Sequence, residues 1–224
     1  MDHESLSRLV AVTGPAGSSN GALAAAAAYA RQAAAGSCAV ILVEGVSDQA
    51  AIESLAVRRG RDLGREGVFV VPMGGATNIG HFLDLFGPRG LGVRLAGLCD
   101  EGEEADFRRG LARAGLGPGQ TRADLTRADL ERRGFYVCVA DLEDEMIRAL
   151  GPAAVERLIE GQGELASFGI FGRQPAQRGR TPQQQLRRFL GTRSGRKIRY
   201  GRVLAGALDL TRVPRPLDRV LAAV

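Results

Sequence analysis

Cys38-Ala39-Val40-Ile41-Leu42-Val43-Glu44-Gly45-Val46-Ser47-Asp48 is an apolar run that stops at a carboxylate, a glycine and a second carboxylate. A run this apolar reads as a strand buried on both faces of a sheet, and open α/β sheets bind ligands beyond the carboxyl ends of their strands. Glu44 thus ends a core strand at a point where an acid must be solvated or paired. Two later runs stop the same way: residues 93–99 lead to Asp100, and residues 135–140 lead to Asp141-Leu142-Glu143. If the three strands are parallel neighbours, their carboxylates gather on one edge, where mutual repulsion calls for a compensating cation. The pattern points to a divalent-metal site.

Around these runs the chain alternates. The first strand, 38–43, leads into a helix from Ser47 through Ile52, Leu55 and Ala56 to Gly60. Val68-Phe69-Val70-Val71-Pro72 reads as a second strand followed by a helix to Phe86, and the strand ending at Asp100 precedes a helix over 103–114. An arginine-rich linker and short helix reach the fourth strand at Phe135. This rhythm predicts an α/β fold, a mostly parallel four-stranded sheet flanked by helices. After Glu143 the pattern is helical, over 146–150, 152–160, 182–190 and 200–210, with residues 191–197 read as a polar loop. The expected organisation is an N-terminal extension with an Ala-rich helix (1–36), a catalytic core (37–150) and a helical, Arg-rich extension (151–224).

With 224 residues, 45% hydrophobic and 25% charged, the chain can bury a substantial core as a soluble protein. Aromatic residues are 5% with no Trp, which argues against a platform of stacked bases. The net charge of +5 favours a polyanionic partner, and its distribution is more telling. Residues 173–202 hold ten Arg and Lys side chains and no Asp or Glu, among them Arg187, Arg188, Arg193, Arg196 and Arg199. That density can line a phosphate backbone, and it reads equally as a solvated helical face. Cys38, Cys99 and Cys138 fall in the apolar runs without metal-ligand spacing, as core thiols of a reduced, cytoplasmic protein. No stretch is apolar and long enough to span a membrane.

Glu44 and Asp48 flank a strand-to-helix turn, a geometry that supplies oxygen ligands to a hard cation, while Asp48 also suits a helix N-terminus. In Asp100-Glu101-Gly102-Glu103-Glu104 the first acid is the functional candidate. Glu101 and Glu103 stay open, and Glu103 and Glu104 also read as first-turn helix charges. Asp141 and Glu143, in an extended segment, would point the same way with Leu142 facing the core, and Asp144 and Glu145 read as a solvated helix start. Gly74-Gly75-Ala76-Thr77-Asn78 offers amides to a phosphate or is a plain loop. The loop at 14–19 lacks the Gly-Lys-Ser/Thr ending of a nucleotide-hydrolysing phosphate loop. His81 has no neighbouring histidine for zinc, and no Gly-x-Ser-x-Gly elbow is present.

On Val43-Glu44-Gly45-Val46-Ser47-Asp48, Asp100 and Asp141-Leu142-Glu143-Asp144-Glu145, the chain resembles the Toprim superfamily, and specifically the Toprim domain of overcoming-lysogenization-defect (OLD) nucleases. The resemblance covers about residues 38–200. It implies a Toprim-like, Rossmann-like fold and a Mg2+- or Mn2+-dependent endonuclease that uses two ions to cleave or nick DNA. Carried over, Glu44, Asp48 and Asp100 hold one metal, Asp141 and Glu143 the second, and Glu44 is also catalytic. A downstream lysine belongs to that chemistry, and Lys197 is the single lysine of this chain. Two departures follow. Gly102 stands where the family has a second Asp, so Glu101 or Glu103 must supply that ligand or it is missing. The ATPase domain usual in the family is not found in this sequence, so the implied forms are a stand-alone nuclease, one with an ATPase partner in trans, or a catalytically silent nucleic-acid-binding module or subunit of a DNA repair or defence complex. RNA processing or nucleotidyl transfer is compatible with the same acids.

Overall fold

The computed structural model describes residues 39–116 and 125–224. The expected Ala-rich helix, the loop at 14–19 and Cys38 lie outside the described residues.

Four strands, β1 (Ala39–Val43), β2 (Val68–Pro72), β3 (Arg94–Asp100) and β4 (Phe135–Cys138), form one sheet in the order β2-β1-β3-β4. Every pairing is parallel, with Ile41 opposite both Val70 and Ala96, and Asp100 opposite Cys138. All five residues of β1 are buried, which is why that segment reads as continuously apolar. Its side chains alternate between two cores. Ala39, Ile41 and Val43 face one, and Val40 and Leu42 face the other.

The first core is closed by α1 (Val46–Arg58), α5 (Leu142–Leu150), α6 (Pro152–Gly161), α8 (Pro182–Leu190), α9 (Ser194–Ala207) and α10 (Arg215–Ala222). The second is closed by α2 (Ile79–Phe86), α3 (Glu104–Arg113) and α4 (Arg127–Arg132). A further helix, α7 (Leu165–Gly172), packs between α6 and α8. The chain leaves β1 toward β2 on one side and returns to β3 on the other, so the order reverses between β1 and β3. A crevice opens beyond the carboxyl ends of strands at such a reversal. Glu44 and Asp100 stand at its two lips.

Three local expectations change. The stretch 191–197 is not wholly a loop, because α9 begins at Ser194 and carries Lys197 in its first turn. The helix expected over 200–210 is not the last; α10 follows it, with Pro216 in its first turn, where a missing N–H costs nothing. Asp141 and Glu143 are not in an extended segment, since β4 stops at Cys138 and Asp141 is the N-cap of α5.

Candidate metal centre

The turn after β1 is held from both sides. Gly74 and Gly75 donate their backbone N–H groups to the Glu44 carbonyl at 3.0 and 3.1 Å, and Asn78 Nδ2 donates to the Met73 carbonyl at 2.9 Å. The glycine-rich loop is therefore a clasp on the strand end, with those two amides spent on Glu44. Across the turn, Gly45 N–H donates to Asp48 Oδ2 at 2.9 Å. Asp48 thus caps α1, as the helix-dipole reading allows, and it is also buried at the crevice, 9% exposed.

At the end of β3 the acids sort by partner. Glu104 is buried and bound by Arg108 and Arg127, and Glu101 is exposed with Arg127 at 3.3 Å. Both serve a structural ion network. Asp100 and Glu103 instead face the crevice, and the Glu103 carboxylate lies within hydrogen-bonding reach of Glu44. Glu103 Oε2 is a buried oxygen with no donor among the described residues. A Cβ at Gly102 would meet nothing within 4 Å, so no packing constraint requires a glycine there.

Beyond β4 the backbone turns through Ala140 at φ 64°, a left-handed conformation that L-residues adopt at a cost. This turn delivers Asp141, whose Oδ1 accepts from the Asp144 N–H at 2.7 Å and whose Oδ2 accepts from Arg187 Nε at 2.5 Å. Glu143, one helical step on, is 4% exposed. Glu145 is not a solvated helix residue; it is buried and accepts from the Val139 N–H at 2.8 Å, closing the turn.

Lys197 reaches the cluster from α9, with Nζ 3.5 Å from Glu143 Oε2. Close packing of α9 on α1 sets its position. A Cβ at Gly201 would lie 2.6 Å from the Ser47 carbonyl oxygen, so only glycine permits this approach.

Electrostatics unite these residues. Burial, then the charges of Asp48, Glu44, Asp141 and Glu143, push Asp100 up to about 8. Burial, then Glu103, push Glu44 up to about 7, against the lowering effect of Lys197. Burial raises Glu143 to about 7 and Asp48 to about 6, with Lys197 opposing in both cases. Burial alone would lower Lys197, but Glu143, Asp48, Asp100 and Glu44 outweigh it and hold its ammonium above the ordinary range. The crevice is short of positive charge even with its lysine in place.

These donors fit a hard divalent cation. They are all carboxylate oxygens, and Glu103, which lies beside Glu44, has a buried Oε2 without a donor among the described residues, an oxygen that a cation would satisfy. Among the described residues, however, no three His, Cys, Asp or Glu side chains converge closely enough to hold an ion as they stand. The physical reason lies in their other partners. Gly45 N–H holds one Asp48 oxygen, Arg187 holds Asp141, and Lys197 draws Glu143.

The five arginines divide. Arg196 is 7% exposed, with its guanidinium 4.1 Å from the Phe189 ring centroid and Nε 3.1 Å from Glu164 Oε2. Arg199 joins Glu164 at 2.8 Å. Both are occupied in binding α9 to Glu164, just ahead of α7. Arg187, Arg188 and Arg193 are exposed. Cys99 and Cys138 are buried free thiols, and burial raises both. No described helix is long and apolar enough to cross a membrane.

Residues 37–101 match the family model described as Overcoming lysogenization defect protein-like, TOPRIM domain. The structure resembles the C-terminal region of the Xanthomonas campestris pv. campestris OLD protein, with TM-scores of 0.60 at 23% identity and 0.62 at 22% in two determinations. These cover 83% and 84% of this chain and 92% of the other chain in each case. The C-terminal region of the Burkholderia pseudomallei OLD protein matches with TM-score 0.59 at 22% identity, over 83% of this chain and 95% of that one. No curated protein matches the chain. Residues 37–101 thus resemble the Toprim domain of OLD-like proteins, and the described chain has the fold of an OLD C-terminal region.

Proposed function

We propose that the chain is a divalent-metal-dependent nuclease that cleaves or nicks DNA in the crevice between β1 and β3. The observation that carries this reading is the gathering of Glu44 and Asp100 from two adjacent strand ends with Asp48 from the start of α1, each raised first by burial and also by neighbouring carboxylates, beside the chain's single lysine. In this reading Glu44, Asp48 and Asp100, with Glu103 in place of the acid that Gly102 lacks, hold one Mg2+ or Mn2+, and Asp141 and Glu143 serve a second. Bound there, such ions supply Lewis acidity, lowering the pKa of a water and stabilising charge on phosphate oxygens.

The chain's own groups supply the rest. Glu44, pushed up to about 7, suits transfer of a proton near neutral pH. Lys197 stays charged and is held at the cluster by Glu143, where an ammonium stabilises negative charge building on a phosphate. The clasp of Gly74 and Gly75 on Glu44 fixes the strand end, which limits reorganisation.

Incubation with supercoiled DNA and manganese is expected to produce nicked circles, and Glu44→Ala to abolish them. Equal nicking by the variant contradicts the assignment. Parallel assays on structured RNA separate DNA cleavage from RNA processing. A second reading, a silent nucleic-acid-binding module, draws on the pairing of Asp141 with Arg187 and of Glu143 with Lys197, which neutralises two acids internally. DNA binding without manganese binding would favour it.

A further inference from the structure

A cleft of about 740 Å³ lies beside the carboxylate cluster, lined by Asp141 and Asp144 of the α5 start, Phe171 of α7, and Arg180, Arg187 and Arg188 at α8. Its charges do not cancel. Asp141 is paired with Arg187, and Asp144 accepts from Arg148 at 2.9 Å and from Gln183 Nε2 at 2.8 Å. Among the described residues, Arg180 donates only to the Ala176 carbonyl, at 3.1 Å, and Arg188 has no ion-pair partner. The cleft therefore offers two guanidinium groups without an ion-pair partner among the described residues, one aromatic ring, and an end wall that belongs to the proposed metal centre.

We infer that this cleft takes an unpaired segment of a nucleic-acid strand, with Arg180 and Arg188 on its phosphates and Phe171 against one base. Guanidinium forks match phosphate geometry, and a base stacks on an aromatic face without regard to sequence. Size selects a single strand. Cavities of roughly 300–1,000 Å³ take ligands of drug or nucleotide dimensions, whereas a duplex is about 20 Å across and has no unstacked base to offer. One ring accommodates one base, in keeping with a chain poor in aromatic residues. The inference rests on the nuclease reading and adds to it: the strand to be cut enters unpaired, so frayed ends, flaps and gaps are preferred to intact duplex.

The test is fluorescence anisotropy in EDTA, which prevents cleavage, using a labelled 12-mer single strand and the same sequence as a blunt duplex. Wild type is expected to bind the single strand at least several-fold more tightly. Arg180→Ala/Arg188→Ala is expected to lose about tenfold in single-strand affinity, Phe171→Leu several-fold, and Arg94→Ala, at the end of β3 opposite the crevice, much less. Circular dichroism melts confirm that each variant folds. Equal affinity for duplex, or equal losses in Arg94→Ala and the cleft double variant, overturns the inference. Failure of the nuclease reading looks different: the cleft variants still lose single-strand affinity, but manganese elicits no Glu44-dependent cleavage.

Discussion

Arg187 and Asp141 form an ion pair of 2.5 Å in which the arginine, from α8, takes the one Asp141 oxygen that the α5 N-terminus leaves free. The pair joins the cleft to the carboxylate cluster, since Asp141 lines the first and raises the pKa of Asp100 in the second.

Removing this arginine has opposite effects on two ligands. Arg187→Ala frees Asp141, so manganese affinity measured by calorimetry without nucleic acid should rise several-fold, while single-strand affinity falls. Unchanged manganese affinity would mean that Asp141 is not a ligand.

Gly201 fixes the approach of α9 to α1, and so the place of Lys197. Gly201→Ala puts a methyl group 2.6 Å from the Ser47 carbonyl oxygen. Overpacking of this kind costs about 1–3 kcal/mol. Thermal melts should show that loss, and cleavage should fall by more than the folded fraction accounts for, because Lys197 moves with the helix. A variant that melts lower yet cleaves normally would separate Lys197 from the chemistry.

Metal-free stability should decline with rising pH. Asp100 is raised to about 8, Glu44 and Glu143 to about 7 and Asp48 to about 6, so between roughly pH 4 and pH 8 the native state binds more protons than the unfolded chain. Each proton of difference tilts stability toward low pH by about 1.4 kcal/mol per pH unit. Urea midpoints in EDTA should therefore be higher at pH 5.5 than at pH 8, and manganese should narrow the gap at pH 8. A midpoint that rises with pH in EDTA would refute the raised values.

Ala140 pays for its left-handed turn, at φ 64°, just before Asp141. Ala140→Gly removes a strain of about 1–2 kcal/mol and gives back about 0.5–1 kcal/mol of chain entropy, so thermal stability should rise slightly. A clear fall in melting temperature would show that the methyl group packs.

Most of the sheet was legible because β1 is buried on both faces, and the acids at 44, 100 and 141 stood out against those apolar runs. What escaped was decided by tertiary contacts. Ser194 to Lys197 has no apolar period, and its helix forms with Arg196 buried between Glu164 and the Phe189 ring, a residue that composition had counted among the solvent-facing cations. Glu145 reads as solvated among four acids in five residues, yet its hydrogen bond from Val139 closes the turn that presents Asp141. Leu165–Gly172, nearly all apolar with two glycines, carried neither helical nor strand period. The role of Glu103 was one of several open choices until its contact with Glu44 set it apart from Glu101 and Glu104.

The central claim is that the acids of the β1–β3 crevice hold a divalent cation, and calorimetric titration of manganese into wild type and Glu44→Gln at pH 8 tests it most directly. Glu44→Gln keeps the shape of the side chain and removes its charge. The account predicts saturable binding by wild type and loss of at least tenfold in affinity in the variant, whereas the same affinity in both, or none in wild type, would contradict it.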